Sequence, residues 1–157
     1  MAADHAGVAL KAFLKEWLET QGYAVRDFGT YTAESVDYPD YVRPLAEALL
    51  REEVNAGLSI CGTGNGVSMM LNRYRGIRAA LCWLPEIARL SRAHNNANVC
   101  SLPARFITTD TAQAVVAVFL TTTFEGGRHQ RRIEKIDALR STPHSNHKNH
   151  LLDNDRL

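Results

Sequence analysis

The chain has 157 residues, 45% hydrophobic and 22% charged, with a formal net charge of +1. That is the length of one ordinary domain with a real core, and it lacks the charge bias of a disordered segment or a nucleic-acid-binding surface. No apolar run is long enough to span a bilayer and MAADHAGVAL lacks the basic start and long apolar stretch of a signal peptide, so a cytoplasmic protein without membrane or nucleic-acid partners is expected.

Leu10, Phe13, Leu14, Trp17 and Leu18 recur at the spacing of one helix face, which Gly22 ends. YAVRDFG (23–29) reads as a short strand, and the polar stretch holding Asp37, Tyr38 and Pro39 as a loop. RPLAEALLREEV (43–54) reads as a helix that tolerates Pro44 only near its first turn. LSIC (58–61) is a short apolar strand, CGTGNG a turn, and VSMMLNRY (67–74) the opening of a helix. GIRAALCW (76–83) reads as a buried strand, PEIARLSRAHN (85–95) as a helix and NVCSL (98–102) as another strand. TAQAVVAVFLTTTF (111–124) and RHQRRIEKIDALR (128–140) close the series as helices. Strands alternating with helices across short connections predict a single α/β domain over residues 1–140, a parallel sheet with helices on both faces. The polar segment 141–157 is expected to be a mobile tail or to pack on a neighbouring subunit. His144, His147 and His150, three apart within it, read as solvated rather than as a metal face.

The stretch SICGTGNGVSM (59–69) carries the chemistry. In open parallel sheets ligands bind beyond the carboxyl ends of the strands, where glycines let the backbone approach closely. Gly62, Gly64 and Gly66 are spaced G-x-G-x-G, with Val67 where a dinucleotide fingerprint needs its third glycine, and no lysine follows as in a Walker loop. The loop is therefore a cradle for a small anion or a developing oxyanion, or a plain tight turn. Cys61, just ahead of it, is either a small buried hydrophobe or, at a helix N-terminus, a thiolate available as base or nucleophile. Cys82 and Cys100 lie inside strand-like runs and belong to the core; three cysteines with no CxxC pair make neither a disulfide framework nor a zinc site. Asp4 and His5 stand at the end of the first strand, on the same sheet edge as Cys61, where Asp4 also suits a helix cap. His94 and Asn95 close a helix, a favourable place for histidine in any case. Arg128 and Arg132 share one helix face and form either a solvated stripe or a bidentate phosphate grip.

Taken in order, DHAG, DYP (37–39), ICGTGNG, GIRAAL, SRAHNNANV and EGGRHQRRIEKI resemble the type B ribose-5-phosphate isomerases, within a family of sugar-phosphate isomerases that includes galactose- and allose-6-phosphate isomerases. The resemblance covers residues 1 to about 140. It implies a Rossmann-like α/β/α sandwich acting as a homodimer, sometimes a tetramer, with active sites shared across the interface and neither metal nor organic cofactor. By that resemblance Cys61 is the proton-abstracting base and His94, helped by Asp4, opens the furanose ring. Gly62, Thr63, Gly64, Asn65 and Gly66 hold the enediolate oxygens. His5, Arg105, Arg128 and Arg132 match phosphate ligands, Asn95 a sugar contact and Tyr38 a pocket wall. The opened sugar loses a proton from C2 and regains one at C1, which takes one base between two carbons, oxyanion donors and an anchored phosphate.

Three departures stand out. Only Met1, Ala2 and Ala3 precede the Asp-His pair, so the first strand is expected to be short and weakly paired. Leu102 and Pro103 stand ahead of Arg105 where a glycine is usual, and Asn96 replaces an aspartate. The alternatives are isomerisation of another sugar phosphate (allose, galactose or tetrose phosphate) and a non-catalytic phospho-sugar-binding subunit.

Overall fold

The computed structural model describes residues 1–138; the tail with His144, His147 and His150 lies outside the described residues. The sheet has four strands, β1 (Ala2–Ala3), β2 (Gly57–Cys61), β3 (Ala79–Leu81) and β4 (Val99–Pro103). All are parallel, in the order β1-β2-β4-β3. Ala2 faces Ser59, Gly57 faces Val99 and Ala79 also faces Val99. Parallel neighbours need crossover helices. These are α1 (Val8–Thr20) and α2 (Tyr38–Leu50) between β1 and β2, α3 (Asn65–Leu71) between β2 and β3, and α4 (Pro85–Asn95) between β3 and β4. After β4 come α5 (Thr109–Thr121) and α6 (Arg128–Asp137).

Residues alternate between the two faces of a strand, so each strand feeds two cores. On one face Leu58, Ile60, Cys100 and Leu102 pack with Leu10, Leu14 and Leu18 of α1 and with Val115, Val116 and Phe119 of α5. On the other, Cys61 and Val99 pack with Val42, Leu45 and Leu49 of α2 and with Val67 and Leu71 of α3. Ser59 and Ser101 meet between these strands, fully buried, and satisfy each other across 2.8 Å.

Three expectations change. The strand at 23–29 does not form a regular ladder. Residues 26–30 instead run along the outer edge of β1, where Phe28 N–H donates to Met1 O and Thr30 N–H to Ala3 O, both at 2.8 Å. Met1 brackets residue 27, donating to Arg26 O and accepting from Phe28, whereas Ala3 donates to Gly29 O and accepts from the adjacent Thr30. Strand β1 is short as expected, yet Ala2 and Ala3 are fully buried and bonded on both sides. The helix expected from residue 43 begins at Tyr38, with Asp37 as its cap residue and Pro39 in its first turn, so the supposed loop is a helix start. Pro44 then lies inside α2 rather than in its first turn, and the Asp40 carbonyl four residues earlier gains no amide from it.

A buried ion pair ties the outer segment down: Lys11 of α1 donates to Asp27, whose Oδ1 also accepts the Gly29 N–H at 2.9 Å. Among the described residues no helix is long and apolar enough to cross a membrane.

Candidate active site

The carboxyl edge of the sheet gathers most of the singled-out residues. Cys61 ends β2, buried, and its Sγ accepts the Gly64 N–H at 3.0 Å. A thiol so placed, at the end of a strand and against a glycine loop, can serve as base or nucleophile. Gly64 sits at φ +74°, and a Cβ there would lie 2.3 Å from Leu81 Cδ1 and 3.2 Å from the Leu102 carbonyl carbon. Only glycine fits a turn of that hand so close to two strands. Gly66 is pressed against the Tyr38 ring, which would meet an added Cβ at 2.8 Å. Thr63 and Asn65 point outward and are exposed, with Thr63 Oγ1 accepting the Asn65 N–H at 3.3 Å.

Neighbouring elements complete this edge. After β4 the chain folds over the loop: Ala104 N–H donates to Cys61 O at 2.9 Å and Arg105 N–H to Gly62 O at 3.1 Å. The Arg105 side chain lies above Gly62, its Nε 3.3 Å from where a Cβ would be. The Leu102-Pro103 departure therefore leaves the arginine beside the loop. Asp4 N–H donates to Ile60 O at 3.0 Å, placing Asp4 next to the end of β2. Its Oδ1 caps the following turn by accepting the Ala6 and Gly7 N–H groups at 2.9 and 3.2 Å. His5 is half-buried, and its Nδ1 accepts the Val36 N–H at 3.3 Å, so the proton of the neutral ring sits on Nε2.

His94, Asn95, Arg128 and Arg132 are elsewhere. A crossover helix runs antiparallel to its strands, so α4 starts at the carboxyl edge and ends at the amino edge. The bonds agree: Arg78, just before β3, donates from Nε to Asn96 O at 3.0 Å, and Gly57 at the start of β2 donates to Asn98 O at 2.8 Å. Asn96 ends α4 at φ +44°, a left-handed turn asparagine adopts readily, and its Oδ1 accepts from Arg92 at 3.1 Å. Helix α6 docks on the same edge through Arg78 and Asp137, 3.3 Å apart. Within one chain a five-residue strand, roughly 15 Å, separates the thiol from the imidazole. The structure splits the candidate site residues into two groups on opposite edges, two candidate half-sites.

Two residues of the amino edge were missed by the sequence reading. His129 is buried and stacks on His94, and Glu125 Oε2 lies 3.6 Å from His94 Nε2 and 4.0 Å from His129 Nε2. Their four-residue spacing and the length of the EGG turn were available as signals. Among the described residues His94, Glu125 and His129 bring three metal-type ligand atoms within 4.8 Å of one another. The parallel rings do not aim their nitrogens at a common point, and Arg128 Nε already donates to His129 Nε2 at 3.3 Å. With the Arg128 and Arg132 charges beside it, the cluster suits an anion better than a cation. A cleft of about 560 Å³ also opens at the amino edge, lined by Met1, Leu18, Tyr23, Leu58 and Phe119. Its lining is mostly apolar and touches neither half-site.

Known proteins match this arrangement along nearly the whole described chain. The family model described as Ribose/Galactose Isomerase matches residues 1–136. The chain is 42% identical over 136 residues to ribose-5-phosphate isomerase B of Escherichia coli K12, covering 87% of this chain and 91% of that protein. It is 43% identical over 138 residues to the probable ribose-5-phosphate isomerase B of Mycoplasma genitalium, covering 87% and 91%. The crystal structure of a ribose 5-phosphate isomerase from Thermotoga maritima superposes with a TM-score of 0.87 at 52% identity, covering 88% of this chain and 95% of that one. That of the Mycoplasma genitalium enzyme with bound ribulose-5-phosphate gives 0.82 at 43% identity, covering 87% and 91%. Six helices around a parallel sheet, a cysteine on a glycine loop and these degrees of identity have one conclusion: the chain belongs to the ribose/galactose isomerase family, and it is an isomerase.

Proposed function

We propose that the protein interconverts ribose 5-phosphate and ribulose 5-phosphate through an enediolate, as a cytoplasmic homodimer or a dimer of such dimers, with neither metal nor organic cofactor. The observation that carries this reading is the Cys61 thiol, held by the Gly64 amide at the mouth of a glycine loop, in a chain whose relatives bear this activity in their names. His94 takes the proton from O1 of the furanose and delivers one to the ring oxygen, which opens the sugar; Asp4 assists through Oδ2, its Oδ1 being occupied by two amides. Cys61 then removes the C2 proton. The negative charge moves onto the oxygen, where the amides of Gly62 to Gly66 and the Thr63 hydroxyl stabilise it. The proton returns from sulfur to C1, while one proton passes between the two oxygens. His5, Arg105, Arg128 and Arg132 hold the phosphate, Asn95 a sugar hydroxyl, and Tyr38 walls the pocket.

The two half-sites support the dimer. A base and a ring-opening group on opposite edges of one sheet act on one substrate only when a second chain supplies the missing half. Exposed apolar side chains surround the carboxyl edge: Met69 of α3, Trp83 and Leu84 ahead of α4, and Phe106 after β4. A patch of that kind is typical of a protein interface. The test is ribulose 5-phosphate formation from ribose 5-phosphate without added metal. Turnover, lost in Cys61→Ser while substrate still stabilises the protein against heat, is the expected result. Folded protein inert on ribose 5-phosphate and active on a hexose or tetrose phosphate would move the substrate, and inertness on all of them with retained binding would make it a non-catalytic subunit.

A further inference from the structure

His94 does not stand alone. Its imidazole lies face to face with that of His129, ring centroids 4.2 Å apart and planes within 5°. His129 is only 6% exposed, and its backbone is fixed at the start of α6, where its N–H donates to Gly126 O at 3.0 Å. Arg128 Nε donates to His129 Nε2, so that nitrogen carries no proton and the ring is neutral with its hydrogen on Nδ1. Burial first, and then the charges of His94, Arg128 and Arg132, push its pKa below the usual histidine value, with Glu125 opposing. His94, by contrast, is a third exposed and faces the Glu125 carboxylate at 3.6 Å.

A group that opens a ring must take a proton at one oxygen and give one at another, so it passes through both imidazole and imidazolium. Two stacked imidazolium rings repel. A neutral aromatic face accepts a neutral ring by offset stacking and a cationic one by attraction to its π electrons. The neutral state of His129 therefore suits its neighbour in both charge states. Glu125, at the rim, offsets the charge when His94 is protonated.

We propose that His129 is a positioning residue for ring opening: its buried flat ring is the platform that holds the His94 imidazole at one tilt through its protonation cycle. The proposal rests on His94 as the ring-opening group, and the test separates the two. Ribulose 5-phosphate has its O5 blocked by phosphate and forms no furanose, so exchange of its C1 hydrogen with D2O reports the Cys61 step without ring opening or closure. In the intact oligomer, His129→Ala is expected to lower net isomerisation in both directions by about tenfold or more, while C1 exchange stays within about twofold of the parent. His129→Phe, flat and unable to titrate, is expected to restore turnover. His129→Leu fills the volume without a flat face; it should behave as the alanine variant does and replaces it if that variant fails to fold. Exchange falling in step with turnover, leucine equalling phenylalanine, or full turnover in the alanine variant would each overturn the proposal. Full turnover in His94→Ala would overturn the ring-opening reading itself, and the platform with it.

Discussion

The two edges of the sheet are built differently. At the carboxyl edge the Cys61 loop is locked by backbone: β2 hands it over, residues 104 and 105 bond back across it, and Gly64 and Gly66 leave no room for a side chain. At the amino edge the candidate groups stand on helix ends, held by side chains: a ring stack, a rim carboxylate and the Arg78–Asp137 pair. A loop that must present amides to a developing charge gains from rigidity before substrate arrives. On the proposed function, the cationic groups of the amino edge receive a phosphate from a second chain and stay exposed until that chain covers them. The difference teaches that one chain carries two unlike groups of candidate residues on opposite edges, which the proposed dimer would bring together in one site.

The sharpest way to break this comparison is to mix two dead enzymes. Cys61→Ser and His94→Ala should each lose turnover by roughly a thousandfold. Co-refolded in equal amounts, half of the dimers are mixed and each mixed dimer has one intact site, so activity should return to about a quarter of the parent value. No recovery, with mixed dimers shown by mass, would place both residues in the same chain's site.

The next effect belongs to the amino edge. The buried Met1 amino group donates to Arg26 O, and burial lowers its pKa from 8.0 to about 5, with Asp27 pulling the other way. Between those values the unfolded chain binds a proton that the folded chain does not. Stability therefore rises with pH across that window and is lost as pH falls through it, by up to about 4 kcal/mol for three pKa units. Urea melts from pH 8 to 5 should show the decline, and acetylation of the amino group should flatten it.

A third variant sharpens the rigid half. In Gly64→Ala the new Cβ meets Leu81 in a left-handed turn, for a cost of about 1–3 kcal/mol. Turnover should fall more than substrate binding, because the Gly64 amide leaves the Cys61 sulfur. The smallest effect is expected from Arg132→Ala, exposed in the single chain. Its KM should rise about tenfold with kcat retained, the size of one lost charged hydrogen bond. An unchanged KM would return Arg132 to the solvent.

Much of this was legible in the sequence. Proline at 85 and asparagine at 95 bounded α4 as read, because a proline start and a polar end are local signals. The Cys61 loop was legible too, since glycines between a short apolar run and a helical pattern mark a turn from strand to helix. The outer segment 26–30 was misread because its bonds depend on a two-residue partner far away in the sequence. The DYP motif reads as a loop by its polarity, whereas an aspartate at the cap position with proline in the first turn is a helix N-terminus. The placement of His94 on the edge opposite Cys61 was implicit in the direction of α4, since a crossover helix runs antiparallel to its strands. Glu125 and His129 went unseen because their meaning lies in a stack between two helices.

The closing bonds over the Cys61 loop bear on how the molecule is made. Residues 104 and 105 satisfy the carbonyls of Cys61 and Gly62 only once β4 lies beside β2, whose paired residues are separated by the whole of α3, β3 and α4. β3 and β4 need only α4 between them. On a growing or refolding chain the nearer pair is expected to form first and the distant pair later. The helix carrying His94 thus forms early, although its ring waits for His129 to stack on it, and the thiol stays in an unfinished loop until more than two thirds of the chain has been made.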